Sequence, residues 1–94
     1  MVTYDPIKRL QNLKAHGIDF AELHGVLDHP ILTEEDQSEA YGELRMKSLC
    51  WFKGRLVLVV WTYENEVARL ISCRRSTKHE KRKFLRALGG KGGV

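Results

Sequence analysis

Arg55-Leu56-Val57-Leu58-Val59-Val60-Trp61-Thr62-Tyr63 is the stretch whose reading decides the fold. Residues 56–61 are apolar at every position, so a strand here has no side suited to solvent and belongs in the middle of a sheet covered on both faces. Its Val and aromatic content fits a pleated strand better than a helix. Working outward, Lys53-Gly54 predicts a tight turn back to an antiparallel strand over residues 43–52. On the other side, Glu64-Asn65 predicts a turn into a third strand over residues 66–73. Upstream, residues 31–33 after Pro30 form a short edge strand, and the acidic stretch 33–42 has no usable period and is expected to be a loop. Residues 2–4 make a short extended start.

Helices flank this meander. Asp5 is placed to N-cap a helix with Pro6 at its first position, where no amide hydrogen is needed. That helix runs to about His16, and Gly17 supplies the left-handed residue that ends it, with Ile18 packing back on Leu13. Ile7, Leu10 and Leu13 share one face, while Lys8, Asn12 and His16 share another, as on any surface helix. A second short helix is expected from Asp19, with Glu22 as its capping acid and Phe20, Leu23 and Leu27 buried. Thr77 and Glu80 predict a capping box for a last helix over residues 78–88, anchored by Phe84, Leu85 and Leu88. The expected architecture is α+β: an antiparallel sheet, a three-stranded meander plus short edge strands, packed by two N-terminal helices and one C-terminal helix. Residues 1–88 are expected to form a single domain and residues 89–94 a flexible Gly-rich tail.

The 94 residues, 43% hydrophobic and 30% charged, describe a folded chain with a core and no room for a second one. No apolar run approaches the roughly 20 residues of a membrane span, and no signal-peptide region opens the chain, so a cytoplasmic protein with no membrane partner is expected. Cys50 and Cys73 sit among apolar strand residues, which favours buried free thiols over a disulfide and a disulfide over a metal site. The net charge of +4 conceals a separation along the chain. Residues 19–43 hold eight acids and no Lys or Arg, whereas residues 69–94 hold nine Lys or Arg and one acid, Glu80. The basic end, with Arg74, Lys78, Lys81, Arg82, Lys83 and Arg86, suits a polyanion such as RNA or an acidic partner. On charge alone, a solvated helix carries equal weight.

Two separated strings then resemble a known family. Tyr4-Asp5-x-x-Lys8-x-x-x-Asn12-x-x-x-His16-Gly17-Ile18-x-Phe20-x-Glu22 is similar to the opening signature of BrnT toxins, and Ile71-Ser72-Cys73-Arg74-Arg75-Ser76-Thr77-x-x-Glu80 to their closing one. Between them, Glu43-x-Arg45 and the Gly54 turn fall where that family places its sheet. The resemblance implies a RelE-like fold, metal-independent RNA cleavage that arrests translation, and no cofactor. It also implies a small antitoxin, BrnA-like and of the ribbon-helix-helix type. Toxin and antitoxin would form a heterotetramer that binds operator DNA through the antitoxin. The activity it implies maps onto Lys8, His16, Glu22, Arg69, Ser72 and Arg75, with Arg74 and Arg75 interchangeable by pattern. Three positions depart from the family: Cys73 stands for a usual Ala, Phe84 for a frequent Tyr, and the turn at residues 63–66 carries acids where Arg is common.

The residue types fit the implied chemistry. Metal-free RNA cleavage by the ribose 2′-hydroxyl needs a base, an acid for the departing oxygen, and cations for the phosphorane. Histidine titrates near neutrality, which makes His16 the proton-transfer candidate and leaves Lys8 and Arg69 to hold phosphate. Glu22 would orient His16, or serve only as a capping acid. Strict alternation puts Arg69 on one strand face with Val67, Ile71 and Cys73, and Ser72 on the opposite face, so a shared site requires a bulge or a strand end. His24, His29 and His79 lack metal-ligand spacing. A non-catalytic nucleic-acid-binding module, or an inactive pseudo-toxin serving its antitoxin as co-repressor, stands as the alternative to a ribonuclease.

Overall fold

The computed structural model describes residues 1–36 and 44–89. Among these residues five strands form one sheet: β1 (Val2–Thr3), β2 (Leu32–Glu35), β3 (Met46–Phe52), β4 (Arg55–Glu64) and β5 (Val67–Arg75), in the spatial order β1-β5-β4-β3-β2. The meander β3-β4-β5 is antiparallel as its turns dictate, and Lys53, Gly54, Asn65 and Glu66 all take positive φ, the backbone of tight hairpin turns. β4 is central and buried on both faces, with Leu56, Val57, Leu58, Val59 and Trp61 all buried.

Three expectations are corrected. β1 pairs parallel to β5, Val2 with Ala68 and Thr3 with Arg69, so the sheet is mixed. The second N-terminal helix is only a 3-10 turn, Phe20–Glu22; Gly25 and the turns around it stop it from propagating, leaving two helices, α1 (Pro6–His16) and α2 (Lys78–Gly89). With one helix fewer and a mixed sheet, the details of a RelE-like arrangement are not matched throughout. α2 runs through Gly89; the rest of the expected tail, residues 90–94, and most of the acidic loop, residues 37–43, lie outside the described residues.

One sheet face packs against the segment after α1. Ile18, Phe20 and Leu23 close on Cys50, Val57, Val59, Trp61, Leu70 and Cys73, with Tyr4 edge-on to Phe20 at 5.7 Å between ring centres. Both cysteines are free there, and burial pushes their thiols up, to about 11 for Cys50 and about 12 for Cys73. Ser48 is the polar member of this layer, accepting from the Trp61 indole Nε1 at 2.9 Å and sharing a 2.8 Å bond with Thr33. On the other face, Arg74 of β5 holds Glu80, and Glu34 of β2 holds Lys83 at 2.9 Å, which ties α2 across the sheet. Among the described residues no helix is long and apolar enough to cross a membrane.

The orientation of α1 is the largest surprise. Asp5 caps it, accepting from the Ile7 amide at 2.7 Å, and Gly17 ends it at φ 73°, as the sequence dictates. Its apolar residues nevertheless point outward, Leu10 being 63% exposed, while Asn12 is 6% exposed. Asn12 Nδ2 donates to the carbonyls of Ile18 at 2.9 Å and Cys73 at 3.0 Å, and its Oδ1 accepts from the Cys73 amide at 3.0 Å. β1 pairs with β5 only at Ala68 and Arg69, and farther along that edge the amide side chain takes the place of a neighbouring strand. Arg9 adds a bidentate pair with Asp19 at 2.7 and 3.0 Å, which pulls the Asp19 carboxyl down to about 2.

Replacing Asn12 with Leu keeps the branching at Cγ, with somewhat greater bulk, and strips partners from three buried backbone groups. At about 1 to 3 kcal/mol for each group, the loss is roughly 3 kcal/mol or more. Thermal unfolding of Asn12→Leu should show a Tm lower by more than about 10 °C, whereas Leu10→Ser should leave it nearly unchanged. An unaltered midpoint for Asn12→Leu would show that the clamp does not hold the fold.

Candidate active site

The register of β5 slips once. Thr62 pairs with Arg69 and Trp61 with Leu70, but Val60 pairs with Ser72, so Ile71 is an extra residue in a β-bulge. The slip reverses the alternation beyond it. Leu70 and Cys73 both face the core, and Arg69, Ser72 and Arg74 share the opposite face. Strict alternation had placed Arg69 with Cys73; the bulge separates them and puts Arg69 with Ser72. Arg69 is therefore a half-exposed cation beside Glu64, at 3.3 Å, and does not sit on an apolar face.

Because Asn12 draws the polar face of α1 against β5, that face meets the bulge. Lys8, Asn12 and His16 line a hollow of about 180 Å³ with Ile71 and Ser72. A second, of about 190 Å³, is lined by Asp5, Lys8, Arg45, Thr62, Arg69 and Ile71 among others. Lys8 and Ile71 belong to both hollows, so one continuous region holds Lys8, His16, Arg69 and Ser72. Neither Lys8 nor His16 makes an ion pair among the described residues. These four residues thus bring a histidine, two cations and a hydroxyl to a concave surface that Arg45, Asp5 and Glu64 also line. Among the described residues no three His, Cys, Asp or Glu side chains come together as metal ligands.

The remaining sequence candidates lie elsewhere. Glu22 is bound to Lys53 at 3.0 Å beside the β3-β4 hairpin, and the capping of its turn falls to Asp19, which accepts from the Ala21 amide. Arg75 lines a different cavity with Lys81. Arg74 is engaged by Glu80 through both guanidinium nitrogens, at 3.0 and 2.8 Å. Glu80 at the same time closes the expected capping box, accepting from the Thr77 amide at 2.8 Å while Thr77 Oγ1 accepts from the Glu80 amide at 3.2 Å. Lys78, Arg82 and Arg86 are exposed on α2, and Lys83 is held by Glu34. Asn12 is the residue that sequence reasoning missed as part of this site; nothing in a helical wheel marks a polar residue as the buried one.

The Arg74 hydrogen bonds hold the Glu80 carboxyl below the usual range, with the Thr77 amide adding to the effect against burial. A lowered carboxyl contributes stability above its unfolded value, about 4.3, and loses it as pH falls through the folded value. The helical signal of α2 should accordingly weaken on acidification from about pH 6 to pH 3. Glu80→Gln should carry that weakening already at neutral pH and change less over the same interval by far-UV circular dichroism. Identical acid profiles for the two proteins would contradict this linkage.

Residues 4–80 match the family model described as the ribonuclease toxin BrnT of type II toxin-antitoxin systems. No curated protein matches the chain closely enough to count as a relative.

Proposed function

This chain belongs to the BrnT family of ribonuclease toxins of type II toxin-antitoxin systems, and we propose that it is an endoribonuclease that cuts RNA without a metal ion at the two hollows sharing Lys8. The observation that carries this reading is the bulge at Ile71, which sets Ser72 on the face of Arg69 and against the polar side of α1. In the proposed reaction the ribose 2′-oxygen attacks the adjacent phosphorus while the bond from phosphorus to the 5′-oxygen breaks. The products are a 2′,3′-cyclic phosphate and a free 5′-hydroxyl. His16 takes the 2′-hydroxyl proton. Lys8 neutralises the phosphorane and gives up the proton that leaves with the 5′-oxygen. Arg69 presents its planar fork to the non-bridging oxygens, and the Ser72 hydroxyl donates to one of them. Glu22 and Arg75 stand outside this set, as positioning or binding groups.

Losing one such donor typically costs roughly 3 kcal/mol of transition-state stabilisation, on the order of a hundredfold in rate. Arg69 is half exposed and its ion pair with Glu64 contributes little, so its replacement should spare the fold. Cleavage of a single-stranded RNA should persist in EDTA and fall about a hundredfold or more in His16→Ala and Arg69→Met with Tm within a few degrees of wild type. Activity lost to EDTA and restored by magnesium would refute the metal-free reaction. Full activity in both variants would move the chemistry away from these two hollows, and binding without cleavage by the wild-type chain would favour a binding module.

Membership of a type II family implies an antitoxin partner. In our reading it is a BrnA-like ribbon-helix-helix protein whose acidic, amphipathic segment lies on α2, in a heterotetramer that contacts operator DNA through the antitoxin. Two features support this: the exposed side chains of Lys78, Arg82 and Arg86, and the apolar Leu85 and Leu88, 61% and 67% exposed beside them. Charge reversal at Arg82 and Arg86 should weaken the complex at physiological salt, read by calorimetry. Unchanged affinity would move the interface off this helix.

A further inference from the structure

We propose that the cavity between the β3-β4 hairpin and α2 is a subsite for an unpaired nucleotide of the RNA strand, the base stacking on Trp51 and Phe84 and the phosphate held by Arg55, Arg75 and Lys81. The identity of the ligand as RNA rests on the ribonuclease reading above; the site itself rests on its own geometry. The cavity measures about 430 Å³, larger than either hollow at the bulge. Among the described residues no carboxylate lines it. Arg55, Arg75 and Lys81 make no side-chain hydrogen bond or ion pair among the described residues, in contrast to Arg74 and Lys83 nearby. Three uncompensated cations around one concavity favour an anionic ligand.

The aromatic content narrows that ligand. Trp51 is 59% exposed near the tip of the β3-β4 hairpin, a large indole left mostly uncovered among the described residues. Cations around exposed aromatic faces are the combination by which single-stranded nucleic acids are held, each base stacking on a ring while the backbone follows the positive charge. Ser76 Oγ, buried at the wall and without a hydrogen-bond partner, adds a polar group able to bond a base edge or a phosphate oxygen. The cavity also lies near the proposed chemistry. Arg75 follows Ser72 by three residues, about 10 Å of strand, a separation that adjacent nucleotides of one RNA strand can span. A paired base presents no free face for stacking, which makes the subsite selective for unpaired RNA.

The test is binding of a 2′-O-methyl oligoribonucleotide, which has no free 2′-hydroxyl and stays uncut. Affinities are read from the anisotropy of a fluorescein label on the oligonucleotide, and in the wild-type chain, where Trp61 is buried and hydrogen-bonded to Ser48, tryptophan quenching on binding reports on Trp51. Trp51→Ala should weaken binding roughly tenfold, with Trp51→Phe close to wild type. Arg55→Ala and Lys81→Ala should each lower the slope of log affinity against log salt by about 1. A duplex of the same sequence should bind no better to wild type than to Trp51→Ala. The proposal is overturned if Trp51→Ala leaves oligonucleotide affinity unchanged, or if that variant instead weakens only the complex with the antitoxin, which would make the groove a protein-docking site. Since nothing is cleaved, a chain that proved unable to cut RNA would still answer the question.

Discussion

The bidentate grip of Asn12 on the backbone of Cys73 is the constraint on which the rest of this molecule depends. An edge strand in a small sheet leaves amide and carbonyl groups without partners. β1 is only two residues long and satisfies β5 at one end. A primary amide carries a donor and an acceptor at the spacing of a peptide unit, so a single side chain supplies what a longer β1 would have given. Its second amide proton reaches the Ile18 carbonyl, fixing the chain where it leaves α1 for the core. Sheet edge, helix orientation and core entry therefore depend on one residue.

That constraint also organises the region proposed for catalysis. With Asn12 turned in, its neighbours one turn away on either side, Lys8 and His16, are brought to β5, and the bulge at Ile71 brings Ser72 and Arg69 to meet them. Neither feature alone is sufficient. Without the clamp the polar face of α1 would face water, and without the bulge Ser72 would point into the core. Side chains positioned by a helix and a strand, each held by backbone hydrogen bonds, are better fixed than side chains on loops, and fixed donors lose less in reorganisation when charge develops.

Much of this architecture was legible because it depends on local chemistry. The apolar run at residues 56–61, the hairpin turns, the Asp5 and Gly17 caps and the Thr77-Glu80 capping box each act within a few residues, and each appears where the sequence places it. What escaped the sequence is long-range. The parallel pairing of β1 joins residues 2–3 to 68–69, and the Asn12 clamp joins residues 61 apart. Hydrophobic periodicity pointed to Ile7, Leu10 and Leu13 as the inward face, and a buried three-bond amide outweighed it. The bulge was legible only as a conflict, since Arg69 and Ser72 could not share a face by simple alternation. Glu22 illustrates the reverse case: it sits inside a specific signature, yet its nearest partner is Lys53 on the far hairpin.

An inside-out helix changes what substitution at each of its positions means. On an ordinary amphipathic helix, the apolar positions are intolerant and the polar ones free to drift. In α1 the tolerance is inverted: Ile7, Leu10 and Leu13 touch little of the fold and are open to exchange for Lys, Glu or Ser, whereas the modest Asn12 admits no replacement of equal function. A protein engineer seeking greater solubility would find room on this outward stripe, and one who repaired the apparent mispatterning by placing Leu at position 12 would break the molecule.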